Sequence, residues 1–236
     1  MDRFQSIFGI PAQNIRRTVV LLPFIQPGTL ALLGIEKLQS GALYSSASTP
    51  CLSVIRTGIG ASFTGDAVLY LAETSAQNIL FLGTCGLMQQ VSNINTGTLV
   101  MPRLSYSIES FCNILRNDYP APVAANCDAQ LANDARILTG LRLPDVCCAS
   151  FGSLYLEEQN QPRLRALGVE VIDMECAALF FAAGKTGRRA LAFLSVTDIP
   201  GEKPYYTQAT SGDKKNLTDN LSQACLAINQ ISRQYA

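Results

Sequence analysis

The chain contains no histidine and no tryptophan. Without histidine, Ser-His-Asp and Cys-His catalysis are excluded, and so is any metal site built on imidazole. Acid–base work then falls to carboxylates, lysine, tyrosine, cysteine or bound water. An excess of either charge is lacking too: 18 Lys+Arg stand against 18 Asp+Glu. No basic stripe and no acidic tail interrupts the mixture, which argues against nucleic acid as a partner. Long apolar runs are also missing. The N-terminal run from Val19 to Ile25 is short and holds Pro23, far from the length a bilayer requires. The expectation is no secretory signal, no membrane contact and a cytoplasmic location. The eight cysteines form no C-x-x-C pair. They read as reduced, mostly buried thiols, with no metal site.

Nearly half of the 236 residues are hydrophobic, enough for a full core. Residues 1–16 read as a loosely held arm. Strands are expected at 18–23, 51–57, 78–82, 97–102, 145–150, 169–173 and 189–197. Helices are expected at 28–39, after Gly60, and at 156–167, 174–184 and 213–233. Residues 103–144, richer in Asn, Pro and Asp, read as an excursion over the sheet edge. Alternating strands and helices predict one α/β domain over 1–236, with a twisted mixed central sheet and helices on both faces.

Four polar or glycine-rich segments follow expected strands: Gly58-Ile59-Gly60-Ala61-Ser62, Gly83-Thr84-Cys85-Gly86, Asp173-Met174-Glu175 and Ser195-Val196-Thr197-Asp198. Ligands of open α/β sheets bind at strand C-terminal ends. Glu175 is the most informative residue, because a carboxylate can accept two hydrogen bonds from a sugar diol. The same segment reads equally well as an ordinary helix start, where acids are favoured. Gly58-Ile59-Gly60 does not complete a dinucleotide fingerprint, since Phe63 stands at the third glycine position, and no P-loop occurs.

In order and spacing, Gly58-Ile59-Gly60, Gly83-Thr84-Cys85-Gly86, Met174-Glu175-Cys176-Ala177-Ala178 and Thr197-Asp198 resemble the nucleoside phosphorylase and nucleosidase superfamily. The resemblance runs from about residue 18 to the last helix, and its Met-Glu segment is the most specific part. It implies that Glu175 holds the ribose hydroxyls while Met174 packs under the sugar. It implies that Asp198, beside Thr197, protonates N7 of a departing purine. Phe151 would stack on the base, or serve as plain core. Thr84 and Gly86 would line the ribose and the phosphate or water site, with Gln26 and Gly58 at the nucleophile end. The implied ligand is a small nucleoside, the implied assembly a homo-oligomeric dimer or hexamer, and no cofactor is implied beyond inorganic phosphate as a co-substrate. Residues 1–16 and Tyr205-Tyr206 are the expected contact elements.

The pattern also breaks. The arginine that precedes the second glycine segment in such phosphorylases is Phe81 here. The G-D-P-x-R segment is represented by Gly28-Thr29-Leu30-Ala31-Leu32, without its acid or arginine. Phosphate would lose charge-assisted bonds at both places, and Arg56, Lys203 and Lys214 do not occupy matching positions. In the hydrolytic branch a glutamate orients water, where this chain has Gln26. The 5′-hydroxyl histidine is absent. Three readings stand: N-ribosidic cleavage with an altered nucleophile site, hydrolysis slightly favoured; a non-catalytic nucleoside-binding module; or a structural protein that keeps the fold.

Overall fold

The computed structural model describes residues 2–89, 91–108, 111–116, 118, 121–204 and 210–236. In chain order its strands are β1 (Thr18–Leu22), β2 (Gln39–Ser40), β3 (Ser45–Ser48), β4 (Ser53–Arg56), β5 (Asn78–Leu87), β6 (Leu99–Ser107), β7 (Val123–Asn126), β8 (Asp145–Ser150), β9 (Val171–Asp173) and β10 (Arg189–Asp198). The helices are α1 (Arg3–Phe8), α2 (Thr29–Leu32), α3 (Ala61–Leu71), α4 (Phe111–Leu115), α5 (Ala129–Thr139), α6 (Leu154–Ala166), α7 (Cys176–Thr186) and α8 (Ser211–Gln234).

All five residues of β1 are buried, as expected of a strand covered on both faces. It pairs in parallel with β4 and β5, and β5 pairs in parallel with β10. Beyond the end of β1, β5 takes β9 as an antiparallel neighbour at Gly86 and Leu87. β9 continues to β8, β8 to β6, and β6 back to β10. These pairings close a ring of five strands, from which β1, β4, β3 and β2 extend as an open sheet. The sheet is mixed and carries helices on both faces. One apolar cluster joins side chains of α1, α3 and α7 to the strands, and another joins α5 and α8 to the opposite face. Among the described residues no helix is long and apolar enough to cross a membrane.

Several expectations are corrected. Within the expected arm at 1–16, the described residues 2–16 are not loosely held: Phe4, Phe8, Ile10 and Ile15 are buried. Tyr44 and Ala42 donate backbone hydrogen bonds to Ile7 and Ser6. The helix expected over 28–39 is the four-residue α2. Gly34 turns left-handed there, and Ile35 N–H closes back on the Leu30 carbonyl. Gly83–Gly86 is strand, because β10 pairs with all four residues and β9 joins on the other edge at Gly86. The 103–144 region holds β7, antiparallel to β6, and α5, which packs on the sheet. Tyr205-Tyr206 lies outside the described residues.

Candidate functional site

A cavity of about 470 Å³ opens where the ring's strand ends meet the Gly58–Gly60 turn and α6. Its lining includes Gln26, Thr84, Gly86, Met174, Glu175, Thr197 and Asp198, so these residues share one space. A larger groove of about 720 Å³, at Ile25–Gly28, Leu30, Ala31 and Gly34–Glu36, has Glu36 as its one ionisable residue among those described. The chemistry-bearing groups therefore gather in the smaller cavity.

At the turn from β9 to α7, the two acids divide the work. Asp173 is buried and accepts hydrogen bonds from the Glu175 and Cys176 backbone N–H groups at 3.2 and 2.7 Å. It also accepts from Ser150 Oγ at 2.6 Å, and Ser150 Oγ in turn accepts from Ala177 N–H at 2.8 Å. The first N–H groups of α7 thus find their partners without the Glu175 side chain. The helix-start reading of this segment belongs to Asp173, while the Glu175 carboxylate lines the cavity.

Glu175 Oε1 accepts from Gly60 N–H at 2.6 Å. Gly60 has φ 112° and ψ 156°, a conformation essentially reserved for glycine. This is why the turn needs glycine at that position. Gly58 sits behind the turn at φ +91°, facing the Phe63 ring, and does not line the cavity; Ile59 does.

On β10, the register against β5 shifts between Val196 and Asp198, leaving one residue extra. Such bulges re-aim side chains, and here both Thr197 and Asp198 line the cavity. Thr197 Oγ1 lies 2.8 Å from Asp198 Oδ1 and donates to it. Burial raises the Asp198 pKa above its ordinary value, and the threonine hydrogen bond opposes part of that rise. Gly86 lies opposite: a Cβ there would come within 3.2 Å of Asp198 Oδ2 and 3.1 Å of Pro200. The missing side chain is what lets the strand approach the acid.

Phe151 is placed otherwise. It is 1 % exposed and packs with Met88, Ala149, Leu156 and Ile172, outside the cavity lining. The apolar residue of this segment that does line the cavity is Leu154, at the first turn of α6. Sequence reasoning also missed Glu157, one helical turn on from Leu154 and buried against the cavity. Its signal was the i, i+3 spacing from Leu154 on one helix face. Burial, then the charge of Asp198, then that of Glu158, push the Glu157 pKa up to about 8. A Glu157 that keeps its proton near neutral pH places no charge on Asp198 in return.

Among the described residues the cavity lining carries four acids, Glu157, Asp173, Glu175 and Asp198, and no lysine or arginine. Arg56, Lys203 and Lys214 stand outside it, and Lys203 Nζ pairs with Asp213 at 2.6 Å. Cys85 also lines the cavity, but burial raises its thiol well above the usual range, which suppresses the thiolate. Cys148, Asp173 and Cys176 lie within 4.8 Å of one another. The Asp173 oxygens already accept from Ser150, Glu175, Cys176 and, at 3.5 Å, the Cys148 thiol. That cluster is accounted for as a buried hydrogen-bond network.

Residues 36–234 match the family model described as the phosphorylase superfamily. A purine nucleoside phosphorylase (DeoD-type) of Listeria monocytogenes is 32 % identical over 176 residues, covering 72 % of this chain and 71 % of that one. Among solved structures, uridine phosphorylase from Vibrio fischeri gives a TM-score of 0.70 at 19 % identity, covering 93 % of each chain. Campylobacter jejuni 5′-methylthioadenosine/S-adenosyl homocysteine nucleosidase gives 0.70 at 14 % identity, covering 92 % of this chain and 97 % of that one. At these identities the structural likeness speaks for the fold.

Proposed function

The chain belongs to the phosphorylase superfamily, and from that premise we propose that it cleaves the N-ribosidic bond of a purine nucleoside by hydrolysis. Family membership supports cleavage of a nucleoside N-ribosidic bond. The preference for water over phosphate rests on one observation: among the described residues the cavity is lined by four acidic side chains and no cationic one. An inorganic phosphate there has no guanidinium or ammonium partner among the described residues and meets the Glu175 carboxylate instead. A ribosyl group developing positive charge is stabilised by the Glu175 carboxylate, the acid of this lining that the reading keeps ionised and beside the sugar.

In this reading the C1′–N9 bond breaks with its electron pair leaving to the base. Asp198 gives its proton to N7, which neutralises that charge. Glu175 accepts hydrogen bonds from the ribose 2′- and 3′-hydroxyls, and Met174 packs beneath the sugar. Thr84 and Gly86 line the ribose, and Thr197 orients Asp198. Water held near Gln26 attacks C1′, and its proton passes to solvent, since an amide cannot take it. No metal or organic cofactor is needed, and a second copy of the chain is the proposed assembly partner.

Free base released from inosine, adenosine, guanosine, uridine and methylthioadenosine, with and without inorganic phosphate, tests the reading. The expected result is release from purine nucleosides at a rate that phosphate does not change. The similarity to purine nucleoside phosphorylases favours phosphorolysis as the second reading, and phosphate-dependent release would establish it. A folded sample that releases nothing would instead indicate a binding or structural protein.

Glu175→Gln keeps an acceptor but loses the charge and one accepting oxygen. Nucleoside affinity is expected to fall about tenfold to a hundredfold, the range for a hydrogen bond to a charged group. Isothermal titration with a nucleoside reads it. Unchanged affinity would remove Glu175 from the ribose site.

A further inference from the structure

Glu157 has no evident structural task. The α6 N-terminus is capped by Ser153, whose side chain accepts from Leu156 N–H at 3.3 Å. Asn160, on the same buried side, bonds the Leu156 carbonyl at 2.7 Å. The Glu157 side chain has no hydrogen-bonded partner among the described residues, yet the residue is only 5 % exposed. Its neighbour Glu158 is exposed, so the helix had a solvent-facing position for an acid immediately beside it. A buried carboxyl without a partner is costly, and what its residue adjoins is the ligand cavity, in electrostatic contact with Asp198.

We propose that Glu157 is the residue that reads the base, donating one hydrogen bond to its six-membered-ring edge and accepting one from it. This inference rests on the proposed function, in which Asp198 addresses N7 and so brings the N1/C6 edge of a purine to the same end of the cavity. A protonated carboxyl offers one O–H donor and one carbonyl acceptor side by side. It complements a base that also presents one donor and one acceptor side by side. A 6-oxopurine does so through N1–H and O6, and a 6-aminopurine through N1 and the amino group. Burial is the largest of the causes that raise the Glu157 pKa and persists when Asp198 is protonated, so it favours the donor form. An ionised carboxylate would accept only, and would favour an edge made of two N–H groups. The substrate class is therefore a purine nucleoside whose N1/C6 edge is unsubstituted.

The test compares equilibrium binding of hypoxanthine and 1-methylhypoxanthine to the wild type, Glu157→Gln and Glu157→Leu. Methylation removes the N1–H donor and leaves the glutamate acceptor unpaired. The wild type is expected to prefer hypoxanthine by about tenfold to a hundredfold, the penalty for an unsatisfied buried polar group. Glu157→Gln keeps one donor and one acceptor and retains the preference, whereas Glu157→Leu abolishes it. Equal binding of the two bases by the wild type would overturn the inference, as would a preference that survives in Glu157→Leu or no binding of either base. The wild-type comparison decides even if Glu157→Leu fails to fold. Base binding needs no turnover, so the two claims fail separately. Release from inosine without the preference sinks the role of Glu157 alone. The preference without release sinks the proposed reaction alone.

Discussion

Asp198→Asn is expected to lower the rate of base release by about 10²- to 10⁴-fold, the usual contribution of a general acid. That range corresponds to about 3–5 kcal/mol of barrier. The side chain keeps its size, so the neighbouring bulge and the close approach of Gly86 are undisturbed. An amide can still hydrogen-bond N7, but it has no proton to transfer. Nucleoside affinity should therefore change much less than turnover, and steady-state kinetics with direct binding separates the two. The pH dependence gives a second reading. The working form of Asp198 is protonated, so wild-type activity falls as pH rises through its pKa. Burial has moved that pKa upward, which extends activity to higher pH than an ordinary aspartate allows. In Asp198→Asn this limb disappears from the residual rate. A variant that retains full activity would assign proton donation to another group, whereas a limb that remains near pH 8 would report Glu157.

The sequence was most legible where one local pattern had one physical outcome. The buried run of β1, the apolar β10 and the amphipathic α8 all form where their patterns predicted. Glu175 stood out as an acid where a strand hands over to a helix, Asp198 was singled out by the family resemblance, and both line the cavity. Legibility failed where pairing overrode local signals. Gly83-Thr84-Cys85-Gly86 looks like a turn, but its pairing with β10 along all four residues, joined by β9 at Gly86, holds it as strand. The closing of five strands into a ring depends on β5 changing neighbours midway, which no local pattern encodes. Phe151 was named for an aromatic ring, yet the cavity takes Leu154, three residues later, because α6 begins there. Glu157 was passed over because acids on a helix are ordinary. Only burial makes this one unusual.

Phe8→Ala is expected to destabilise the protein by about 3–5 kcal/mol, the range for removing a buried phenylalanine from a packed site. The N-terminal segment read as a loose arm because it is short and precedes the first strand. Its apolar residues were nonetheless spaced for burial: Phe4 and Phe8 stand four apart, on one face of a helix. In the structure their rings stack with centroids 4.2 Å apart, and Phe8 also meets Tyr44 at 4.6 Å and Tyr70 at 5.9 Å. Phe8 is 0 % exposed. Gly9 then turns left-handed at φ +86° against the Gln39 carbonyl, where a Cβ would come within 2.2 Å. The segment is locked by sterics as well as by burial. For a chain of this length the loss corresponds to a fall in Tm of roughly 6–20 °C. Urea denaturation should show a lower midpoint with an unchanged slope. Phe111→Ala is the control: that ring is 57 % exposed, and its removal should change stability by no more than about 0.5 kcal/mol. A Phe8→Ala effect as small as the control's would return the segment to a loosely held arm. An effect in the expected range makes residues 2–16 part of the folded core, and any role in contacting a second copy would then fall to the solvent-facing side of this segment.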